Sequence, residues 1–322
     1  MFISNWNHIG GNLDLMSGLS QSLCDMERKD NTLLPNIRNG SIILIASDYG
    51  GQHNLSTHES LSFLFADLEE CGEWDTNRGG LRKRFLPDNR RMSYKNLNDT
   101  KRQDALFPFL VAANSIPGLS ITFLVHKGIN SLFLKEGRLD TKELEEGRFK
   151  HWPNPIFEKL LRVLHFISFF VAGLSRPHQD VFWFTDEDAI VPNAEKLHEV
   201  NSLLAHIASH YLQHDMGNLR CRTTKCDDGS RLIEDFTSVP DLVAGALAEV
   251  LSKNATTGHE ISFKGKINQL ENLSFKTRQI LAWFTDTDHP LKRLVCVLDP
   301  LPDSTKLETT WLKFFTGKVS LP

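Results

Sequence analysis

Three acidic positions carry the residue types and surroundings that could do chemistry: Asp48, the run Asp186-Glu187-Asp188, and Asp241. Asp48 follows the apolar run Ile42-Ile43-Leu44-Ile45-Ala46 after one serine and opens into Tyr49-Gly50-Gly51, as a buried strand would enter a tight turn. The later acids follow Val181-Phe182-Trp183-Phe184 in the same way. Carboxyl ends of buried strands are where α/β sheets build sites. Hard carboxylate oxygens suit Mg²⁺ or Mn²⁺ and leave coordination positions for water and phosphate oxygens, and a metal pair held so can activate water and steady a leaving oxygen. The expected catalytic set is Asp48, Asp186 and Asp241, with Asp188 as a further candidate metal ligand.

Each acid also has a structural explanation. Asp48 before Gly50-Gly51 suits a turn on backbone grounds alone. Asp241 lies three residues after Ser238, with Pro240 between them at an expected first helical position, so it could complete a helix cap.

The elements that must position these residues follow from pattern. Met1 to Gly40 shows no sustained period and reads as an irregular or partly helical lead-in. Strands are expected at 42–46, at Ser60 to Ala66 and, shorter, around Arg91 to Lys95, forming an antiparallel meander. Asp99 and Thr100 cap a helix running to about Ser115, and Leu119 to Val125 is a further strand. The remaining expectations are a helix over Asn154 to Leu174, the strand at 181–184, a helix from Ala194 to about Gln213 and an extended piece at Leu219 to Thr223. A helix from Pro240 to about Leu251 follows, with Gly245 hinting at close packing. The fold class predicted is α/β: a ribonuclease H-like mixed sheet, an antiparallel meander and then alternating strands and helices, flanked by helices. Its expected domains are an N-terminal extension (1–40), the main domain (41–253) and a small C-terminal α/β appendage (254–322).

With these residues in place, the chain resembles the bacterial domain of unknown function 3800 family, which has a ribonuclease H-like fold and is presumed to be nucleolytic. Members open with an apolar strand into Asp-Glu-Ser-Gly, where this chain has Ala46-Ser47-Asp48-Tyr49-Gly50-Gly51. They close with a helix like Leu-Gln-Leu-Ala-Asp-Leu-Val-Ala-Gly, and Ser238-Val239-Pro240-Asp241-Leu242-Val243-Ala244-Gly245 matches that better. A Glu-Leu-Lys element after the third strand corresponds to Ser93-Tyr94-Lys95-Asn96-Leu97, where the lysine is kept and the acid is missing. The resemblance spans about Ser41 to Lys253 and implies a metal-dependent nuclease, with the missing acid bearing on a second metal.

The stretch Arg78, Arg82, Lys83, Arg84, Arg90, Arg91, Lys95, Lys101 and Arg102 is interrupted only by Asp88 and Asp99 and carries Phe85 and Tyr94. Beside a carboxylate site it would draw in a phosphate backbone and offer rings for base stacking, with Arg82, Lys83, Arg84, Arg90, Arg91 and Lys95 as the contact residues. The plain alternative is a solvated loop. His206, His210 and His214 recur every four residues, and His210, His214, Cys221 and Cys226 could enclose zinc, although an exposed histidine stripe accounts for the spacing more simply.

Composition narrows the classes. The 322 residues are 40% hydrophobic and 24% charged with a formal charge of −4, which is ordinary globular usage without a global basic field. Five scattered cysteines suit a reducing compartment, and the start lacks a basic, apolar leader, so a cytoplasmic chain with free thiols is expected. The charges within 156–175 argue against a membrane span. Three functions compete: a metal-dependent nuclease acting on RNA or DNA, a catalytically inactive nucleic-acid or protein-binding module on the same scaffold, and a metal-dependent glycosyltransferase using Asp186-Glu187-Asp188.

Overall fold

The computed structural model describes residues 4–10, 14–52, 56–133, 149, 151–257, 273–286, 288–301 and 306–312. Its centre is β1 (Ile42–Gly50), where Ile43, Leu44, Ile45 and Ala46 are all fully buried. The run is apolar without alternation because both faces of the sheet are covered. Ile43 and Ile45 enter one core, and Leu44 and Ala46 enter the other.

β1 pairs antiparallel with β2 (His58–Asp67), which pairs antiparallel with β3 (Gly118–His126). On its other side β1 pairs parallel with β4 (Asp180–Thr185), and β4 pairs parallel with β5 (Leu219–Thr223). This order, 3-2-1-4-5 with a meander followed by parallel strands, is the ribonuclease H-like arrangement. β6 (Leu291–Pro300) extends the sheet parallel to β3, and β7 (Leu307–Leu312) turns back along it. The described residues of the C-terminal segment therefore add a helix and two strands to the same sheet, and Leu291, Val295 and Val297 share a core with β1 and β2.

One face is covered by α1 (Asp14–Lys29), α4 (Asn154–Leu174) and α5 (Ala194–Ser209). α4 is buried from Phe157 to Leu174, and Phe166 stacks on Phe123 of β3 with ring centroids 3.8 Å apart. Each such ring contributes roughly 1.5–3 kcal/mol by leaving water. The charges of α4 turn inward onto partners: Arg162 bonds Glu158 (3.1 Å) and the Ile129 carbonyl (2.6 Å), and Lys159 faces Glu59 (3.9 Å) and Asp188 (3.8 Å). Among the described residues no helix is long and apolar enough to cross a membrane.

The opposite face is covered by α2 (Gly72–Phe85), α3 (Thr100–Ala113), α6 (Leu232–Thr257) and α7 (Phe275–Thr285). Three sequence expectations fail here. The segment 91–95 is not a strand but leads into a short 3-10 turn, Tyr94–Asn96, and the third strand of the meander is β3. Residues 72–85 form a helix that pattern does not announce, because two of its four buried positions are Arg78 and Arg82. α6 begins eight residues before Pro240, with Asp227 accepting the Ile233 and Glu234 N–H groups at its start. Pro240 thus lies inside the helix, and Asp241 is not part of a cap.

Candidate acidic site

Register brings the first two acids together. Ser47 of β1 is level with Thr185 of β4, so Asp48, still inside β1 and paired with Ser62 of β2, and Asp186, the first residue past β4, lie at the same height. Here β1 has an antiparallel neighbour, β2, on one side and a parallel neighbour, β4, on the other, and the carboxyl end of such a strand is where α/β sheets build sites. Alternation puts Asp48 on the face of Leu44 and Ala46, the face covered by α6. α6 brings Asp241, two turns into the helix, within hydrogen-bond reach of Asp48.

Close approach of α6 to β1 depends on small residues. A side chain at Gly50 would stand 2.8 Å from the Ala244 carbonyl oxygen. A side chain at Gly245 would run into the Tyr94 ring, so the absence of a Cβ there lets Tyr94 lie against the helix. The Tyr94 N–H then donates to Asp241 Oδ2 at 2.6 Å. The tyrosine hydroxyl is fixed from the far side by Glu249 (2.5 Å) and Thr277 (2.6 Å).

The three acids act on one another. Burial raises the Asp48 carboxyl well above the ordinary aspartate range, and the charges of Asp241 and Asp186 raise it further against a smaller opposing pull from Arg91 and Lys159. Burial pushes Asp241 up to about 6, opposed by the Tyr94 N–H, by Arg91 and by a hydrogen bond with Asp48. Two carboxyls that bond each other away from water share one proton between their two titration steps and repel when both are charged.

Asp186 is held differently. Its Oδ2 pairs with Arg91 at 2.6 Å, and its Oδ1 accepts from the Thr224 hydroxyl at 3.0 Å. Asp188 is not brought into this group: it accepts the Ile190 N–H at 2.9 Å and faces Lys159 on α4, beneath the other side of the sheet. Glu187 pairs with Lys225 at 2.6 Å. Three consecutive acids thus take three separate partners, so Asp186-Glu187-Asp188 does not form the single chelating unit that the glycosyltransferase reading needs.

The basic stretch is mostly paired internally. Arg82 is buried and holds Asp235 of α6 through both of its oxygens, and Arg78 joins them at 3.2 Å. Arg82 is therefore a structural clamp between α2 and α6 and not an exposed phosphate contact. Arg90 pairs with Asp88 (2.5 Å) and Asp99 (3.0 Å), so its charge is answered within the chain. Lys83, Arg84 and Lys95 are exposed, with Arg84 over the Phe85 ring at 5.0 Å.

The four zinc candidates are scattered. His210 is exposed at the end of α5, His214 Nε2 lies 3.1 Å from Ser175 Oγ, Cys226 is exposed, and Cys221 is buried in β5. Burial raises the Cys221 thiol well above its usual range, which opposes the thiolate that zinc requires. Among the described residues no three His, Cys, Asp or Glu side chains already form a cluster able to hold a metal ion, the acidic trio included. Arg91 stands among those acids instead, a role that its place in a basic loop does not announce.

Compared with known proteins, the chain matches no family model and no curated protein.

Proposed function

We propose that the chain is a metal-dependent nuclease that hydrolyses phosphodiesters of RNA or DNA at the crevice formed by Asp48, Asp186 and Asp241. The observation that carries this reading is the convergence of three carboxylates, from β1, the end of β4 and α6, on a ribonuclease H-like sheet. Burying Asp48 and Asp241 costs stability once they are charged, and the charge of Asp186 adds to that cost for both; such a cost is retained where a cation or proton is handled. The donor set is all hard oxygen and so fits Mg²⁺ or Mn²⁺, with Asp48, Asp186 and Asp241 as the holding residues. The chemistry such an ion supplies is activation of water and relief of charge on the leaving oxygen. The chain's own part is positional: the Tyr94 N–H fixes Asp241, Thr224 fixes Asp186, and Asp48 and Asp241 hold a proton between them until it is displaced. Lys83, Arg84 and Lys95 are the exposed cations that would meet a phosphate backbone. The resemblance to the domain of unknown function 3800 family points to the same chemistry.

The test is cleavage of labelled RNA, DNA and hybrid strands with Mg²⁺ or Mn²⁺ by the wild type and by Asp48→Asn. Cleavage that the substitution abolishes supports the reading, and cleavage that it leaves unchanged refutes it. One observation favours the non-catalytic alternative: the Arg91 ion pair already neutralises Asp186. Salt-sensitive nucleic-acid binding by a wild type that turns over none of the three substrates would establish that alternative.

A further inference from the structure

Resting on the reading of the acidic crevice as a metal site, we infer that Arg91 is a positioning residue that couples metal binding to nucleic-acid binding. It holds Asp186 until a substrate phosphate takes the guanidinium away.

Both oxygens of Asp186 are engaged, Oδ2 by Arg91 and Oδ1 by Thr224. The Thr224 hydroxyl is neutral and leaves the carboxylate its charge for a cation, whereas the guanidinium competes with that cation directly. Arg91 also lies within electrostatic reach of Asp48 and Asp241, so it is a counter-ion to the whole cluster. Lys159, the other cation that Asp48 feels, faces Glu59 and Asp188 under the opposite face and lies over the Tyr49 ring.

Arg91 is built to let go. Its Nε is shielded from water and has no hydrogen-bond partner among the described residues, so the guanidinium uses its donors incompletely in this arrangement. Its backbone is pinned on both sides: Arg82 Nη1 donates to the Arg90 carbonyl at 3.2 Å, and Arg102 Nε donates to the Arg91 carbonyl at 2.7 Å. The side chain therefore turns on a fixed stem without the loop moving. A phosphodiester accepts two parallel N–H donors from an arginine fork, which answers the Nε left unmet beside Asp186. Once the fork is on phosphate, Asp186 Oδ2 is open to a metal ion. Each ligand then favours the other, and by linkage the effect is equal in both directions.

The experiment is calorimetric titration of Mn²⁺ into the full chain, with and without a short single-stranded phosphorothioate oligonucleotide, for the wild type, Arg91→Gln and Arg91→Lys. Without oligonucleotide, Arg91→Gln should bind Mn²⁺ about tenfold more tightly than the wild type, a typical coupling magnitude. Arg91→Lys, which keeps the charge, should stay near the wild type. Oligonucleotide should tighten Mn²⁺ binding by a similar factor in the wild type, less in Arg91→Lys and not at all in Arg91→Gln. A purely structural Arg91 would change thermal stability and leave these ratios alone. Equal Mn²⁺ affinities for wild type and Arg91→Gln overturn the inference while the metal site stands, as does a wild-type affinity indifferent to oligonucleotide. Absence of Mn²⁺ binding to any of the three proteins overturns both the inference and the metal site.

Discussion

Asp241→Asn should make the protein more stable at pH 8. Asp241 titrates near 3.8 when unfolded and is pushed up to about 6 in the folded chain. A folded-state value above the unfolded one means that the native state binds the proton more tightly. Its stabilising contribution is therefore complete below about pH 4 and is lost as pH rises through about 6. The interval is about two pH units at 1.36 kcal/mol each, or about 3 kcal/mol, and partial contact with solvent reduces this to roughly 1–3 kcal/mol. Asparagine keeps the shape and can still accept the Tyr94 N–H, so the substitution removes the charge and little else. Urea unfolding of both proteins at pH 8 and pH 4 reads the effect: the midpoint should rise at pH 8 with an unchanged slope, and the gain should vanish at pH 4. A variant no more stable than wild type at pH 8, or one whose gain persists at pH 4, would show that burial does not penalise the charged Asp241 carboxylate and would refute the argument.

Further predictions concern the surroundings of the site. Asp235→Ala leaves Arg82 buried without a carboxylate, while Arg78 keeps Asp75, and should cost about 3–5 kcal/mol in urea unfolding. Gly245→Ala forces a methyl against the Tyr94 ring and should cost about 1–3 kcal/mol. It should also lower metal-dependent cleavage by displacing the N–H that fixes Asp241, measured as a fall in turnover at saturating Mn²⁺. Replacing Lys83, Arg84 and Lys95 together by glutamine should weaken oligonucleotide binding uniformly across sequences. It should also flatten the dependence on salt by roughly one unit of slope for each phosphate no longer neutralised, read by fluorescence anisotropy at several salt concentrations.

The sequence alone determined those features that rest on short stretches of chain. Ile42 to Ala46 had to be a doubly covered strand because nothing in it tolerates water, and Asn154 to Leu174 had to be a buried helix because its length and apolarity allow little else. Asp48 and Asp186 were legible for the same reason, since a carboxylate close behind a buried apolar run stands out from it. What only the tertiary structure decided depends on residues far apart in the chain. Arginines at two inward positions of α2 hid that helix until Asp235, more than 150 residues on, supplied their partner. The choice of Asp186 over Asp188 was set by their partners, Arg91 and Thr224 holding Asp186 while the Ile190 N–H and Lys159 draw Asp188 beneath the other face. Pro240 reads as a helix start by local rule, yet α6 runs through it because burial of Phe236, Val239 and Val243 outweighs one missing hydrogen bond. The role of Arg91 was the least legible, because a cation in a basic loop acquires its meaning only from the carboxylates that folding sets against it.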